Sequence, residues 1–302
     1  MVINMKDPIF TGSAVAIITP FSEDFIDFDK LGELVEFQLE NNTDAIVVCG
    51  TTGEASTQSI PEHLATVEYV IKKVAGRVPV IAGTGSNDTV HAVMMSQNAE
   101  KSGADALLVV TPYYNKTSQH GLVKHFTHVA DRVNIPIILY NVPSRTGMSF
   151  TAEAYRELAK HPNINGVKEA SGDLSLVCRT RSICPEDFYI WSGNDDNTVA
   201  MMSLGAQGVI SVAANVIPKQ MSEMAAAVLA GDVKRAAELQ IKYFDLCDKL
   251  FIDVNPVPVK CAMNLLGWNV GHLRMPLADM LPANIEKLKK ALADAGVKAV
   301  NS

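Results

Sequence analysis

Eight short apolar runs recur along the chain, and each is separated from the next by a segment long enough to hold a helix. Every run is apolar on consecutive positions, as expected for a strand that is covered on both faces in a parallel sheet. The pattern therefore predicts eight parallel strands, at residues 14–18, 45–49, 79–82, 106–110, 136–140, 164–168, 188–191 and 208–212.

The segments between the predicted strands carry apolar residues at helical spacing. Leu31, Leu34 and Leu39 are one example, and Ser59 with Pro61 supplies the cap residue and first-turn proline that commonly begin a helix. Strand and helix alternate eight times in this way. Such a chain closes as an α/β (β/α)8 TIM barrel more naturally than it opens as a doubly wound sheet.

The strand pattern stops after Pro218, and the rest of the chain predicts only helices, at residues 221–230, 233–251, 257–266 and 283–295. Pro256 and Pro258 separate the second of these helices from the third, because proline cannot donate a backbone hydrogen bond and restricts the residue before it. We therefore predict a barrel over residues 1–217, followed by a C-terminal helical domain over residues 218–302.

Composition and charge narrow the class of protein. The 302 residues are 48% hydrophobic and 20% charged, which suits one barrel of roughly 250 residues plus an appendage. A formal net charge of −7 without a basic cluster argues against a nucleic-acid partner. No apolar run approaches the roughly 20 residues of a membrane span, and residues 1–10 lack the apolar core of a signal peptide. We expect a cytoplasmic protein without a membrane partner.

Three other patterns give little support for a cofactor or a metal. The five cysteines lie far apart without a C-x-x-C pair, so neither a disulfide framework nor a zinc site is indicated. Gly83-Thr84-Gly85 lacks the third glycine of a dinucleotide fingerprint. Residues 194–197 are interpreted as helix caps rather than metal ligands, and His125 and His128 have no third ligand nearby.

Polar residues at the ends of the apolar runs are the candidates for chemistry, because active sites of (β/α)8 barrels lie at the carboxyl ends of the strands. Lys168 ends an otherwise apolar strand. Partial burial there would lower its pKa and provide a neutral amine near pH 7, as imine formation with a ketone requires. Its position leaves two alternatives open: a surface lysine at a frayed strand end, or a partner of Glu169.

Three further features lie at the same mouth of the predicted barrel. Tyr140 ends the strand before that of Lys168, so its phenol could shuttle protons there, although a strand tyrosine is often only packing. The Gly50-Thr51-Thr52-Gly53 turn offers backbone N–H groups and two hydroxyls that suit a carboxylate. Arg145 lies in a loop bounded by proline and glycine, where it could bind a second carboxylate or pair with an acidic residue.

Four motifs together resemble the dihydrodipicolinate synthase family, in the family's order and spacing over essentially the whole chain. They are Gly50-Thr51-Thr52-Gly53-Glu54, Tyr140-Asn141-Val142-Pro143-Ser144-Arg145-Thr146-Gly147, Val167-Lys168-Glu169-Ala170 and Asn255-Pro256-Val257-Pro258-Val259-Lys260. The resemblance implies condensation of pyruvate with L-aspartate 4-semialdehyde to 4-hydroxy-tetrahydrodipicolinate, in the synthesis of diaminopimelate and lysine. It also implies a homotetramer built from tight dimers, and no metal or organic cofactor.

The resemblance implies a role for each of four catalytic residues. Lys168 matches the lysine that forms the Schiff base, and Tyr140 matches the proton donor and acceptor. Thr51 and Tyr114 match the relay partners of that tyrosine, and Tyr114 would be contributed by the neighbouring subunit. These roles agree with the chemistry, in which the imine is an electron sink and hydroxyl groups move the protons.

The resemblance also implies which residues bind the two substrates. Thr52 and the backbone of Ile210 match the ligands of the pyruvate carboxylate. Arg145 matches the residue that receives the carboxylate of the semialdehyde.

Lysine-inhibited relatives bind the inhibitor in an effector pocket at the dimer interface. The matching positions here are Ala55, Ser56, Ile60, His63, Asn87, His91 and Tyr113. Ile60 replaces a histidine of the family, and His91 stands where a glutamate would face the effector, so a carboxylate that could hold an ammonium group is absent. We therefore expect weak or absent inhibition by L-lysine.

Two rival functions are considered. Another pyruvate-lysine aldolase, such as N-acetylneuraminate lyase or a keto-deoxy-sugar-acid aldolase, would share Lys168, but those relatives generally lack an arginine at the position of Arg145. A non-catalytic ligand-binding homologue would have no need to keep Lys168, Tyr140, Thr51 and Tyr114 together.

Overall fold

The computed structural model describes residues 6–23 and 25–298, and its centre is a closed barrel of eight parallel strands. The strands of the barrel are β1 (Gly12–Ala16), β4 (Ala45–Val48), β5 (Val80–Gly83), β6 (Ala106–Val110), β7 (Ile137–Asn141), β8 (Ile164–Glu169), β9 (Tyr189–Ser192) and β10 (Gly208–Ser211). Each strand pairs with its neighbours in chain order, and β1 pairs with both β4 and β10. The predicted (β/α)8 barrel is confirmed.

Helices surround the barrel and fill the chain after it. They are α1 (Phe28–Glu40), α2 (Ile60–Val74), α3 (Thr89–Ser102), α4 (Gln119–Ala130), α5 (Pro143–Thr146), α6 (Ala152–Leu158), α7 (Leu174–Ile183), α8 (Thr198–Ser203), α9 (Pro218–Leu229), α10 (Val233–Lys249), α11 (Val257–Leu265) and α12 (Pro282–Asp294). At the start of α2, the Ser59 hydroxyl accepts a hydrogen bond from the Glu62 backbone amide. In return, the Glu62 carboxylate accepts one from the Ser59 backbone amide. This capping box explains why the helix begins at this point.

One pair of strands has no counterpart among the predicted runs. β2 (Phe21–Ser22) and β3 (Phe25–Ile26) form an antiparallel pair between β1 and α1. Each strand has only two residues, so neither gives an apolar run that a sequence pattern can detect.

The barrel has a separate core on each side of its wall. Alternate residues of each strand face inward, where small side chains such as Ala14 and Ala45 surround large ones such as Trp191 and Ile210. Phe10 precedes β1 and stacks on Trp191 with a centroid separation of 5.4 Å, while the indole donates to the Phe10 carbonyl. The amino-terminal end of the barrel is thereby filled, which leaves the carboxyl ends of the strands as the open end.

Helix α9 bears on the predicted domain boundary. It follows the eighth strand, β10, and packs against β1 and β10, as the outer helix of an eighth β/α unit would. It also packs against α10, which continues into α11 and α12. A division of the chain after residue 217 stays a prediction, since α9 contacts elements on both sides of it.

Candidate active site

Lys168 and Tyr140 lie side by side inside the carboxyl end of the barrel. The two residues are register partners on the adjacent strands β8 and β7, so their side chains point to the same face of the sheet. The Lys168 Nζ lies 4.6 Å from the centroid of the Tyr140 ring. Lys168 is 4% exposed and Tyr140 is 8% exposed, which excludes the surface-lysine alternative.

Burial changes the acid–base properties of both groups. It lowers the pKa of Lys168 to about 8, with a further small lowering by Arg145, while Asp195 acts in the opposite direction. Burial raises the pKa of the Tyr140 phenol, against which Arg145 and a hydrogen bond with Thr51 act. A usable fraction of the lysine is therefore a neutral amine near pH 7, and the phenol beside it keeps its proton.

Glu169 is not the partner of Lys168. Because successive side chains of a strand point to opposite faces, Glu169 points away from the barrel interior into the helix layer. Its carboxylate accepts from the Tyr155 hydroxyl at 2.8 Å and from the Ser171 amide at 2.9 Å. The alternative in which Glu169 neutralises the lysine is therefore wrong.

The Thr51–Thr52 turn follows β4 and is held in a tight conformation. The amides of Gly53 and Glu54 donate to the carbonyls of Gly50 and Thr51, and Glu54 has a left-handed φ of 53°. Within the described part of the chain, the amides of Thr51 and Thr52 donate no hydrogen bond. Thr51 and Thr52 both line the cavity that contains Lys168, and their proposed role in binding a carboxylate stays a prediction.

Arg145 lies on the short helix α5, which follows β7 directly. Its Nη2 donates to the backbone carbonyl of Asn255 at 2.9 Å rather than to a carboxylate. The Asn255 amide group in turn donates from Nδ2 to the Thr52 hydroxyl at 3.0 Å. Asn255 therefore ties the arginine to the threonine turn, and the predicted alternative of an Arg145 pair with an acidic residue is wrong.

These residues enclose one cavity of about 470 Å³. Gly193, in the turn after β9, forms part of its wall, and a Cβ there would come within 3.1 Å of Lys168 Cε and 2.5 Å of Ala170 Cβ. A side chain at position 193 would therefore crowd the lysine. The lining includes Thr51, Thr52, Tyr140, Ser144, Arg145, Lys168, Asn194, Val212, Phe251 and Asn255.

A second cavity, of about 410 Å³, shares Thr51, Tyr140 and Arg145 with the first as parts of its wall. It holds six of the seven residues predicted for an effector pocket: Ala55, Ser56, Ile60, His63, His91 and Tyr113. Asn87 is not in its lining, and its carbonyl accepts from Asn115 Nδ2 instead. None of the described lining residues is aspartate or glutamate.

Two predicted site residues do not line the Lys168 cavity of a single chain. Tyr114 is 93% exposed and has a left-handed φ of 68°. Ile210 is fully buried in the barrel interior, and Val212 further along the same segment lines the cavity instead.

A buried ion pair supports the threonine turn from the C-terminal segment and was not identified as functional from the sequence. Lys260 Nζ lies 2.8 Å from Glu54 Oε1, and their side chains are 1% and 0% exposed. Lys260 also donates to the carbonyls of Thr19 and His272, and the Arg274 amide donates to Glu54 Oε2. Both charged residues lie in the motifs quoted above, but only the fold brings them together.

The helix-cap interpretation of residues 194–197 is wrong for their side chains. Asn194 and Asn197 stand at cap positions but make no side-chain cap hydrogen bond. Asp195 is 2% exposed, and its Oδ2 accepts from the amides of Val212 and Ala213 after β10. The Asp195 carboxylate is thus buried against the segment after β10, and its charge acts on Lys168.

Metal and membrane features are absent from the described residues. Within residues 6–23 and 25–298, no group of three or more histidine, cysteine, aspartate or glutamate side chains could hold a metal ion. Over the same residues, no helix is long and apolar enough to cross a bilayer.

The fold and the site define a (β/α)8-barrel protein with a buried lysine of lowered pKa at the mouth of the barrel. The sequence pattern of the dihydrodipicolinate synthetase family matches residues 9–295. The chain therefore belongs to that family.

Individual relatives agree with this assignment. A 4-hydroxy-tetrahydrodipicolinate synthase of Thermoanaerobacter sp. (strain X514) is 55% identical over 96% of this chain and 98% of that protein. The crystal structure of dihydrodipicolinate synthase from Aquifex aeolicus is 45% identical, with a TM-score of 0.95 over 97% of this chain and 100% of that one. The dihydrodipicolinate synthase from Acinetobacter baumannii, complexed with pyruvate, is 42% identical with a TM-score of 0.93, over 95% of this chain and 99% of that one.

Proposed function

We propose that this enzyme condenses pyruvate with L-aspartate 4-semialdehyde through a Schiff base on Lys168, giving 4-hydroxy-tetrahydrodipicolinate for diaminopimelate and lysine synthesis. The observation that carries the proposal is the pair formed by a lysine that is 4% exposed and a phenol whose ring centroid lies 4.6 Å from its Nζ. Family membership supports the choice of reaction, and the pyruvate complex of the Acinetobacter baumannii relative supports the first substrate.

The reaction begins with the neutral amine of Lys168. The amine attacks the ketone carbon of pyruvate, and loss of water gives a protonated imine. Loss of a proton from the pyruvate methyl group gives an enamine, whose carbon attacks the aldehyde carbon of the second substrate. The amino group of that substrate then attacks the imine carbon, which closes the ring and releases Lys168. One water is lost overall.

Each proton transfer needs a hydroxyl near the imine, and Tyr140 is the group in that position. Its phenol keeps its proton because burial raises its pKa, and a hydrogen bond with Thr51 connects it to a second hydroxyl. Tyr140 therefore donates and accepts protons as water leaves and as the aldehyde oxygen becomes a hydroxyl.

The two carboxylates of the substrates need separate ligands. The Thr52 hydroxyl, with the backbone donors of the Thr51–Thr52 turn, would bind the pyruvate carboxylate. Arg145, held by the Asn255 carbonyl at the cavity wall, would bind the carboxylate of the semialdehyde. A sugar-acid substrate would leave this guanidinium without a matching group. No metal or organic cofactor is required for these steps.

A homotetramer of tight dimers is part of the proposal because the Tyr114 side chain lies outside the Lys168 cavity of its own chain. An aromatic side chain that is 93% exposed, on a residue with a left-handed φ, is suited to inserting into a neighbouring subunit. Exposed Ile60, Val90 and Tyr113 provide apolar surface for that contact. In the dimer, Tyr114 would complete the proton relay of the partner subunit through Thr51.

The second cavity supports the expectation of weak or absent inhibition by L-lysine. None of its described lining residues carries a carboxylate to pair with an ammonium group. A cytoplasmic location, expected from the sequence, is likewise proposed, and it agrees with five free cysteines.

The direct test is a comparison of substrates with the purified full chain. Turnover is measured with pyruvate plus L-aspartate 4-semialdehyde, and separately with N-acetylneuraminate. The proposal predicts turnover of the first pair. Turnover of the sugar acid alone would identify another pyruvate-lysine aldolase, and turnover of neither would favour a non-catalytic binding protein.

A further inference from the structure

A second pair of register partners lies directly behind the reactive pair. Tyr140 is followed by Asn141 on β7, and Lys168 is followed by Glu169 on β8, so Asn141 and Glu169 are also opposite each other. Side chains alternate along a strand, and these two therefore face outward while the reactive pair faces inward. Asn141 is 0% exposed and Glu169 is 2% exposed.

The outward pair forms a closed hydrogen-bond cluster. Asn141 Nδ2 donates to both carboxylate oxygens of Glu169, at 2.9 and 3.0 Å. The Tyr155 hydroxyl on α6 and the Ser171 amide in the turn after β8 supply two further donors to the same carboxylate. Asn141 also donates to the Ser149 hydroxyl at 3.1 Å. One carboxylate thereby joins β7, β8, α6 and the turn that follows the lysine.

All of these donors are neutral, although the acceptor is a buried carboxylate. Burial raises the pKa of Glu169, and the hydrogen bonds from Ser171, Asn141 and Tyr155 act against that rise. Burying a charged group costs free energy unless its hydrogen bonds are complete. If this position only filled space, an apolar residue would fill it without that cost. The main chain adds two bonds at this level, from Ala170 N to the Asn141 carbonyl and from Gly193 N to the Glu169 carbonyl.

We propose that Glu169 is a positioning residue, whose carboxylate, held by Asn141, Tyr155 and Ser171, fixes the ends of β7 and β8 and so the distance between the Tyr140 phenol and the Lys168 amine. The inference rests on the proposed role of Lys168. Glu169 does not touch the substrate, because it lies on the other face of the sheet. Its contribution is geometric, and misplacement by about 1 Å can cost a reaction on the order of a hundredfold.

The test replaces the carboxylate by an amide of the same size, in Glu169→Gln. The new NH2 group faces the Asn141 amide, so one donor meets another, and the strand ends shift relative to each other. We expect kcat to fall by about 10- to 100-fold while the KM for pyruvate changes by less than about threefold, because the threonine turn is not touched.

Two further variants separate positioning from general stability. Asp44→Asn alters a carboxylate that accepts from the Ser13 amide at 2.7 Å, at the amino-terminal end of β1 and β4. It changes the same kind of contact between strands far from the lysine, and kcat should stay within about twofold. The double variant Asn141→Asp with Glu169→Gln exchanges donor and acceptor, and it should restore kcat to within about fivefold of the wild type.

The outcomes distinguish this inference from the proposed function. Borohydride trapping of pyruvate counts the competent Lys168 sites in each variant, so kcat is expressed per site. Failure of trapping in the wild type would refute the proposed function. A Glu169→Gln enzyme with kcat within twofold of the wild type, or no recovery in the double variant, would overturn only the positioning role. If Glu169→Gln does not fold, the test uses Tyr155→Phe, which keeps the aromatic ring but removes one donor to the Glu169 carboxylate. This variant should lower kcat about three- to tenfold. An unchanged kcat would overturn the inference.

Discussion

Removal of the buried Lys260 charge should destabilise the protein and weaken pyruvate binding together. Lys260 and Glu54 are almost fully buried, and Nζ lies 2.8 Å from the carboxylate oxygen. At an effective dielectric constant of about 20, such a contact corresponds to about 6 kcal/mol of attraction before desolvation is subtracted. Lys260→Met removes the ammonium group that lies over the Phe21 ring, and it leaves the Glu54 carboxylate and two carbonyls without this donor.

The expected loss is about 3–5 kcal/mol in the free energy of unfolding at pH 7, as for other buried pairs that lose one partner. Glu54 ends the turn that carries Thr51 and Thr52, and the KM for pyruvate should therefore rise in the same variant.

The measurement is urea unfolding of wild type and Lys260→Met at one protein concentration, followed by fluorescence. Lys72→Met is the matched control, because its ion pair with Glu68 is exposed and should be worth less than about 1 kcal/mol. The double variant Glu54→Gln with Lys260→Met removes both charges and should recover most of the loss. A loss below about 1 kcal/mol for Lys260→Met, or no recovery in the double variant, would refute the reasoning.

Three further predictions follow from the site. The kcat/KM for pyruvate should rise with pH and level off above about 8, because imine formation needs the neutral amine of Lys168; an inflection near the ordinary 10.5 would contradict this. Tyr140→Phe keeps the ring beside the lysine but removes the proton donor, so kcat should fall by about a hundredfold or more, and a loss below about threefold would exclude the proposed role. L-Lysine at sub-millimolar concentration should leave more than half of the turnover of pyruvate with L-aspartate 4-semialdehyde, since His91 and Ile60 offer no carboxylate. Half-inhibition in that range would contradict this expectation.

The barrel could be predicted from the sequence because its strands are covered on both faces and are therefore mostly apolar on consecutive positions. The bounds were less accurate: β1 begins at Gly12 and ends at Ala16, whereas the pattern indicated residues 14–18. The apolar run continues into Ile17 and Ile18, which are buried but lie beyond the end of the strand. Burial determines which positions are apolar, whereas hydrogen bonding determines where the strand ends.

The reactive pair was predictable because position on a strand determines it. Tyr140 and Lys168 end neighbouring strands, and parallel pairing brings such residues together. Asn255 was not predictable in its role, since its contact with Thr52 spans 203 positions and its local sequence indicates only a turn before proline. Asp195 was misinterpreted for a related reason: a carboxylate after a strand can accept from a nearby helix terminus or from a distant loop, and only the fold selects between them.

The role of Tyr114 cannot be derived from a single chain. The family resemblance implies a catalytic role for it, but its side chain is exposed and outside the Lys168 cavity of its own chain. The role proposed for it therefore depends on a second subunit, whose presence analytical ultracentrifugation of the wild type would test.

The central claim is that Lys168 forms an imine with pyruvate, and borohydride trapping tests it most directly. The purified chain is incubated with pyruvate and sodium borohydride at about pH 8, digested, and analysed by mass spectrometry, with Lys168→Arg as the control. We predict that reduced pyruvate is attached to the peptide that contains Lys168 and that the control stays unmodified at that position. An unmodified Lys168 in an active wild-type enzyme, or equal labelling of another lysine, would contradict the account.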